Sequence, residues 1–257
     1  MHIQIGCCGW PVGRSGYFQR FSTVEINSTF YNLPQLKTAV RWRQEAPAEF
    51  EFSVKAWQLI THPAASPTYR KLREKLSDRA LSRCGNFRAS PEVAAAWERT
   101  RAVASALAAR FVLFQTPASF YPNANHLRDL YRFFKGVQRG GLALVWETRG
   151  EGWEDRMVHR VCGDLGLVRG VDPLSGAKPC GAVCYYRLHG RHERGRPVYG
   201  HDYTDEELRE ILIHSTGRPT YAYFNNVSMW RDACRFQSLV RSSSQDIAVP
   251  RRLRTLC

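Results

Sequence analysis

Several apolar runs in the sequence end in side chains able to move protons or hold an anion, and their spacing sorts those side chains onto one face. In Thr23-Val24-Glu25-Ile26-Asn27-Ser28 the two-residue pleat of a strand sends Val24 and Ile26 to one side and Glu25 and Asn27 to the other. The same parity selects Ser53 and Lys55 in Phe52-Ser53-Val54-Lys55-Ala56, Gln115 after Leu113, Glu147 in Trp146-Glu147-Thr148-Arg149, Asp172, Arg187 and His189, and Asn225 after Tyr223. Glu25, Glu147, Asp172 and His189 are the types needed for general acid–base work or for holding a divalent metal. Lys55 and Arg187 suit an anion, and Asn27, Gln115 and Asn225 offer neutral hydrogen bonds to a substrate. His62, in Ile60-Thr61-His62-Pro63, joins the same set as a substrate-binding residue or proton carrier. So do the aromatic residues Trp10 and Tyr31, which, like Trp57 and Trp153, follow strand-like runs and either stack on a ligand or wall its pocket. A buried charge without a partner costs several kcal/mol, so these groups must pair with one another, with water or with a ligand.

Positioning them takes a scaffold whose strands all end on the same side. Strand-like runs fall at about 2–8, 23–28, 50–56, 110–116, 142–148, 168–172, 182–189 and 219–225, with helical patterns at about 35–46, 66–77, 90–109, 123–136, 154–165, 204–215 and 228–241. This alternation predicts an α/β fold, and eight strands fit an irregular TIM-barrel-like (β/α) barrel better than an open sheet. In such a barrel the polar parity faces inward and the strand ends form a mouth. Start signals support the helices: Ser90-Pro91-Glu92 caps one, and Thr204-Asp205-Glu206-Glu207 reads as a capping box for another. Residues 11–22 and 173–181 are too short, and too rich in Gly, Pro or Ser, for full crossover helices. The stretch 57–90, with the basic run Arg70-Lys71-Leu72-Arg73, is either a binding loop or a solvated helical excursion.

The 257 residues carry 37 Lys+Arg against 23 Asp+Glu, a formal net charge of +14. Only Lys37, Lys55, Lys71, Lys75, Lys135 and Lys178 are lysines, so arginine, with its planar fork for phosphate or carboxylate, carries most of the charge. Size and patterning predict a single barrel domain over 1–241 and a basic C-terminal tail over 242–257 containing Arg251-Arg252-Leu253-Arg254. No signal-like segment opens the chain, and the longest apolar stretch, Val103 to Phe114, is interrupted and shorter than the roughly 20 residues a span requires, so a cytoplasmic protein with no membrane partner is expected. The eight cysteines form no CxxC pair, which argues against a structural zinc site. Adjacent Cys7 and Cys8 put a thiol near the mouth, but no base for it is visible. Walker, GxSxG, HExxH and dinucleotide fingerprints are absent from the sequence.

The strings Ile5-Gly6-Cys7-Cys8-Gly9-Trp10, Thr23 to Tyr31, Leu33-Pro34, Phe52-Ser53-Val54-Lys55-Ala56 with Ile60-Thr61-His62, Phe114-Gln115-Thr116-Pro117, Tyr186-Arg187-Leu188-His189-Gly190-Arg191 and Tyr223-Phe224-Asn225-Asn226 together resemble the family called domain of unknown function 72, or YecE-like. The match spans about residues 3–240. The resemblance implies a TIM-barrel-like fold and no established activity.

The function expected from these residues is a barrel hydrolase acting on a phosphorylated or nucleic-acid substrate at the C-terminal mouth, with a divalent metal as an open option. The alternative is a non-catalytic protein that binds nucleic acid or a small anion. A glycosidase, which needs two carboxylates about 5–9 Å apart, is a third reading.

Overall fold

The computed structural model describes residues 2–149, 151–193 and 196–248. Eight parallel strands build one sheet: β1 (Ile3–Cys7), β2 (Thr23–Ile26), β3 (Glu51–Lys55), β4 (Phe111–Gln115), β5 (Ala143–Glu147), β6 (Val168–Val171), β7 (Cys184–Leu188) and, after a small hairpin of β8 (Arg191–Glu193) and β9 (Arg196–Val198), β10 (Thr220–Phe224). The sheet order is β1-β10-β7-β6-β5-β4-β3-β2. Its two ends meet through a single parallel bridge, Cys8 to Glu25, and the Gly9 N–H donates to the Glu25 carbonyl at 2.8 Å. The result is a nearly closed TIM barrel. Gly6 makes the seam possible, because a Cβ there would lie 2.2 Å from the Thr23 carbonyl oxygen.

Most helices follow their sequence signals, whereas the seven-residue helix inside 11–22 has no counterpart among the expected elements. In chain order they are α1 (Arg14–Arg20), α2 (Leu36–Glu45), α3 (Gln58–Thr61), α4 (Asp78–Leu81), α5 (Pro91–Ala106), α6 (Ala124–Gly136), α7 (Asp155–Leu165), α8 (Asp205–His214) and α9 (Met229–Ala248). Ser90 caps α5 through the Val93 N–H at 3.2 Å, and Thr204 with Glu207 forms the expected capping box on α8. Among the described residues no helix is long and apolar enough to cross a membrane.

Strand parity is visible in the packing. Ile5, Val24, Ile26, Phe52, Val54, Val112 and Phe114 belong to the layer between barrel and helices, whereas Phe111, Leu113, Val145, Val168, Tyr185, Tyr221 and Tyr223 fill the barrel itself. Two layers of opposite parity require every inward polar residue at a strand end to face the mouth.

Some elements differ from the expectation. Residues 66–77 form only a 3-10 turn over Pro67–Lys71 followed by extended chain, because the Asn32 side chain takes the Arg73 N–H and donates to the Lys71 carbonyl, both at 2.8 Å, in place of helical bonds. The hairpin of β8 and β9 has no counterpart among the expected elements. The last helix continues through Ala248, beyond the expected boundary at 241, and Arg251 to Arg254 lie outside the described residues.

Candidate active site at the barrel mouth

Arg187, on β7 and 1% exposed, is the centre of the mouth. Its Nε donates to both oxygens of Glu25, at 3.1 and 3.0 Å, and its Nη2 to Glu25 Oε1 at 2.7 Å. Nη1 reaches Glu147 Oε2 at 2.6 Å, and Nη2 reaches Asn27 Oδ1 at 3.3 Å. One guanidinium thus ties β2 to β5 across the barrel. Glu25 also accepts from the Tyr185 hydroxyl at 2.8 Å and the Cys8 thiol at 3.2 Å. Glu147 accepts from Arg149 Nε at 2.6 Å and from Gln115 Nε2 at 3.2 Å. The parallel register of β4 and β5 sets Gln115 beside Glu147.

Burial pushes the Glu147 carboxyl upward, but Arg149 and Arg187 overcome it and hold the group well below the usual carboxylate range. Burial also pushes the Cys8 thiol well up, with Glu25 adding to the effect, so Cys8 is a protonated donor and no nucleophile at neutral pH. His189 is lowered to about 3, first by burial. Its Nε2 faces Arg149 Nη2 at 2.6 Å, Arg187 Nη1 at 3.3 Å and Glu147 Oε1 at 3.5 Å. Its Nδ1 lies 2.9 Å from Asn225 Nδ2, an amide nitrogen that donates, so Nδ1 offers its lone pair there. His189 is a spacer between Arg149, Arg187, Glu147 and Asn225 in this arrangement, with both ring nitrogens engaged.

Lys55 is different in kind. Its Nζ donates to Gln115 Oε1 at 2.5 Å and lies 4.3 Å from the centre of the Phe30 ring. Burial lowers it to about 7, with Arg187 adding to the fall and Glu147 and Glu25 opposing it. A half-buried amine that changes charge near neutrality is the group in this mouth best suited to proton transfer. His62 also packs on Phe30, its ring edge-on at 4.8 Å and its Nδ1 paired with the Thr61 hydroxyl at 2.8 Å; burial, then Lys55, lowers it to about 3.

Asp172 lies toward the β6 side. Its Oδ1 accepts the Leu174 N–H at 3.0 Å, and burial raises it to about 6. With Glu147, Arg149, Ser175 and His189 it lines a cavity of about 190 Å³, the size of a phosphate-bearing group with a few waters.

The structure therefore brings together Glu25, Asn27, Lys55, Gln115, Glu147, Arg187, His189 and Asn225, with Asp172 and His62 at the edges. It does not bring in Trp10, which packs edge-on against Tyr17 at 5.0 Å and Phe18 at 5.5 Å, outside the barrel, where an apolar strand-end ring covers the first helix. Tyr31 stands apart as well: its ring meets Phe30 at 5.0 Å, Lys71 Nζ lies 4.8 Å from it, and its carbonyl serves Trp57 and Gln58. Sequence reasoning missed Arg149, Phe30 and Tyr185 as members of the site. Parity could have found two of them, since Arg149 follows Glu147, and Tyr185 precedes Arg187, by two residues.

A divalent metal does not fit this donor set. Both carboxylates and His189 Nε2 already face guanidiniums, and among the described residues no group of three or more His, Cys, Asp or Glu side chains is placed to hold an ion. The glycosidase reading meets the same obstacle, because Arg187 fills the space between Glu25 and Glu147.

A family model described as "Protein of unknown function DUF72" matches residues 14–254. Among solved structures the chain is similar to a DUF72 family protein from Enterococcus faecalis V583, at 18% identity over 93% of this chain and 98% of that one, with a TM-score of 0.69. It is similar to a DUF72 family protein from Thermotoga maritima MSB8, at 19% identity over 94% and 100% of the two chains, with a TM-score of 0.68. Endonuclease IV from Thermus thermophilus aligns at 11% identity over 95% and 99%, with a TM-score of 0.52. At such identities the likeness is one of fold. No curated protein matches the chain.

Proposed function

The chain belongs to the DUF72 family of proteins of unknown function, and from that premise we propose that its barrel mouth binds and hydrolyses a phosphorylated or nucleic-acid substrate without a resident metal. The observation that carries the reading is Lys55, a half-buried amine at the C-terminal end of β3, linked through Gln115 to Glu147 and from there to Arg149, with its surroundings lowering it to about 7. Arg149 borders the cavity and is the cation of the pair with an exposed edge, at 20% against 1% for Arg187. In this mechanism Arg149 holds the phosphate. The neutral Lys55 amine takes a proton from water as its oxygen attacks phosphorus. Asp172, at about 6, returns a proton to the departing ester oxygen. Arg187, Glu25 and Glu147 position the others and do not themselves exchange protons.

The outer surface supports an extended anionic substrate. Arg70, Lys71 and Arg73 are exposed just beyond the loop that follows β3, and Asn32 fixes them against the loop that follows β2. Endonuclease IV, by its name a nuclease, uses a barrel of the same class, which makes nucleic-acid esters the first substrates to try.

The test is turnover of chromogenic phosphomonoesters and phosphodiesters and of short single-stranded DNA, in chelator, by wild type and Lys55→Met. Hydrolysis that falls by roughly 10²-fold or more in the variant supports the reading. The charge of +14 favours one competing reading, a non-catalytic nucleic-acid binder. No turnover, with DNA binding that weakens steeply with salt and survives Lys55→Met, replaces the enzyme with that binder.

A further inference from the structure

Among the described residues the two aromatic rings left exposed, Tyr121 and Tyr199, both lie in loops on the mouth side of the barrel. Resting on the assignment of Arg149 to the substrate phosphate, we propose that Tyr199, with Val227 beside it, is a base-stacking platform that makes an unpaired nucleotide, and not a plain phosphate ester, the ligand the mouth prefers. The turn that carries Tyr199 is fixed in place. Gly190, directly after His189, has φ +90°, and a Cβ there would lie 2.5 Å from the Val198 carbonyl oxygen, so glycine is what lets β9 close back onto the end of β7. The Val227 N–H donates to the Tyr199 carbonyl at 2.7 Å, the His201 N–H to the Val198 carbonyl at 3.0 Å, and Asn226 Nδ2 to the His201 carbonyl at 2.9 Å. These bonds tie residues 198–201 to the loop that follows β10.

The Tyr199 ring meets His189 edge to face, with 5.9 Å between centroids and 87° between planes. His189 is 2% exposed, Tyr199 45%. A ring that served only to roof the imidazole would be buried against it, whereas nearly half of this one faces water. Val227, bonded to the same turn, is 78% exposed, so the pair offers an apolar patch beside a mouth lined by charged and amide side chains. His189 is also the link to the phosphate site: its Nε2 lies 2.6 Å from Arg149 Nη2, and both residues line the mouth cavity. The platform and the guanidinium thus share one imidazole as neighbour.

A ligand that uses both needs an anion and, close to it, a flat apolar ring. A nucleotide carries both, and the phosphate ester of a small alcohol carries only the anion. The base must also be unpaired, because inside a duplex both of its faces are covered by neighbouring bases. Such a contact is blind to base identity, since every base has a flat face. Asn225, the amide that touches His189, does not add a reading of the base edge: its Nδ2 serves His189 Nδ1 at 2.9 Å and its Oδ1 accepts from Asn27 Nδ2 at 3.4 Å, so both ends of the amide are engaged.

The experiment measures binding, at one fixed salt concentration, of oligothymidylate of about ten residues and of an abasic oligomer with the same number of phosphates, to wild type, Tyr199→Ala and Tyr199→Phe. Wild type should bind oligothymidylate about 10-fold or more tightly than the abasic oligomer. Tyr199→Ala should lose most of that preference with its affinity for the abasic oligomer unchanged, and Tyr199→Phe should keep it. Equal affinity of wild type for the two oligomers, or a preference undiminished in Tyr199→Ala, overturns the platform and leaves phosphate binding at the mouth standing. A wild type that binds neither oligomer overturns the phosphate assignment and the platform with it. Binding is read here and not turnover, so a protein that fails to hydrolyse leaves the result intact. One readout needs no variant: oligothymidylate carrying 5-iodouracil, irradiated with wild type, should crosslink to the peptide that contains Tyr199, and crosslinks confined to other peptides overturn the proposal.

Discussion

Replacing Lys55 with Met should stabilise the protein while abolishing any chemistry that depends on the amine. An exposed lysine titrates near 10.5, and in the fold burial brings Lys55 down to about 7. Between those values the unfolded chain binds more protons than the folded one, so stability rises with pH across the window and is lowest on its acid side. At about 1.4 kcal/mol for each tenfold in acidity, the amine withholds roughly 4 kcal/mol at pH 7. Methionine fills a similar volume without that cost. It also forfeits the bond to Gln115 Oε1 and the cation over Phe30, which together offset about 2 kcal/mol. A net gain of about 2 kcal/mol at pH 7 remains. The pH dependence of the gain is the sharper readout: the variant's advantage should shrink by about 2 kcal/mol between about pH 6 and about pH 8.5. Urea denaturation of both proteins at several pH values measures it, and taking the difference cancels the cysteines and tyrosines that titrate at the alkaline end. A variant less stable than wild type at pH 7, or an advantage that does not change with pH, would refute the claim that the fold lowers Lys55 to near neutrality.

Arg187→Met should cost about 3–5 kcal/mol, read as a lowered urea midpoint, because it leaves the carboxylates of Glu25 and Glu147 buried without their shared cation. Arg187→Lys should recover little of it, since one ammonium cannot reproduce the fork that spans β2 and β5. Glu147→Gln should flatten the acid limb of stability. The Glu147 carboxyl is held below its unfolded value, so its contribution is present above about pH 4.3 and is lost as pH falls toward the folded pKa. Denaturation midpoints between about pH 3 and 6 compare the two proteins.

Periodicity makes the scaffold legible because the period-two pattern and the helix caps are local properties. Val24 and Ile26 against Glu25 and Asn27 fix which face is which without knowledge of any neighbour, and Ser90-Pro91 or Thr204-Glu207 mark helix starts within four residues. The turn over Pro67–Lys71 is illegible for the opposite reason: Asn32, far away in sequence, supplies the bonds that a helix would have made. The hairpin of β8 and β9 is too short to carry a pattern.

For the site, parity names the residues that face inward but not their partners, and the partners decide the chemistry. Glu25 and Glu147 look equally available as catalytic bases in the sequence. In the fold they sit on opposite sides of Arg187, and the two carboxylates are matched by two guanidiniums, Arg187 and Arg149. That balance leaves the arginine cluster nearly neutral, so attraction for an anion cannot come from its sum. It has to come from the exposed edge of Arg149, from Lys55 when protonated, and from the basic run at Arg70, Lys71 and Arg73 outside the mouth. A polyanion would engage the outer run first, over several charges and with steep salt dependence. A small phosphate ester would depend on Arg149 and on the protonation of Lys55 alone, and its affinity would fall as pH rises through about 7. The two substrate classes proposed for the mouth are therefore separable by what would weaken their binding: salt for nucleic acid, alkali for the small ester.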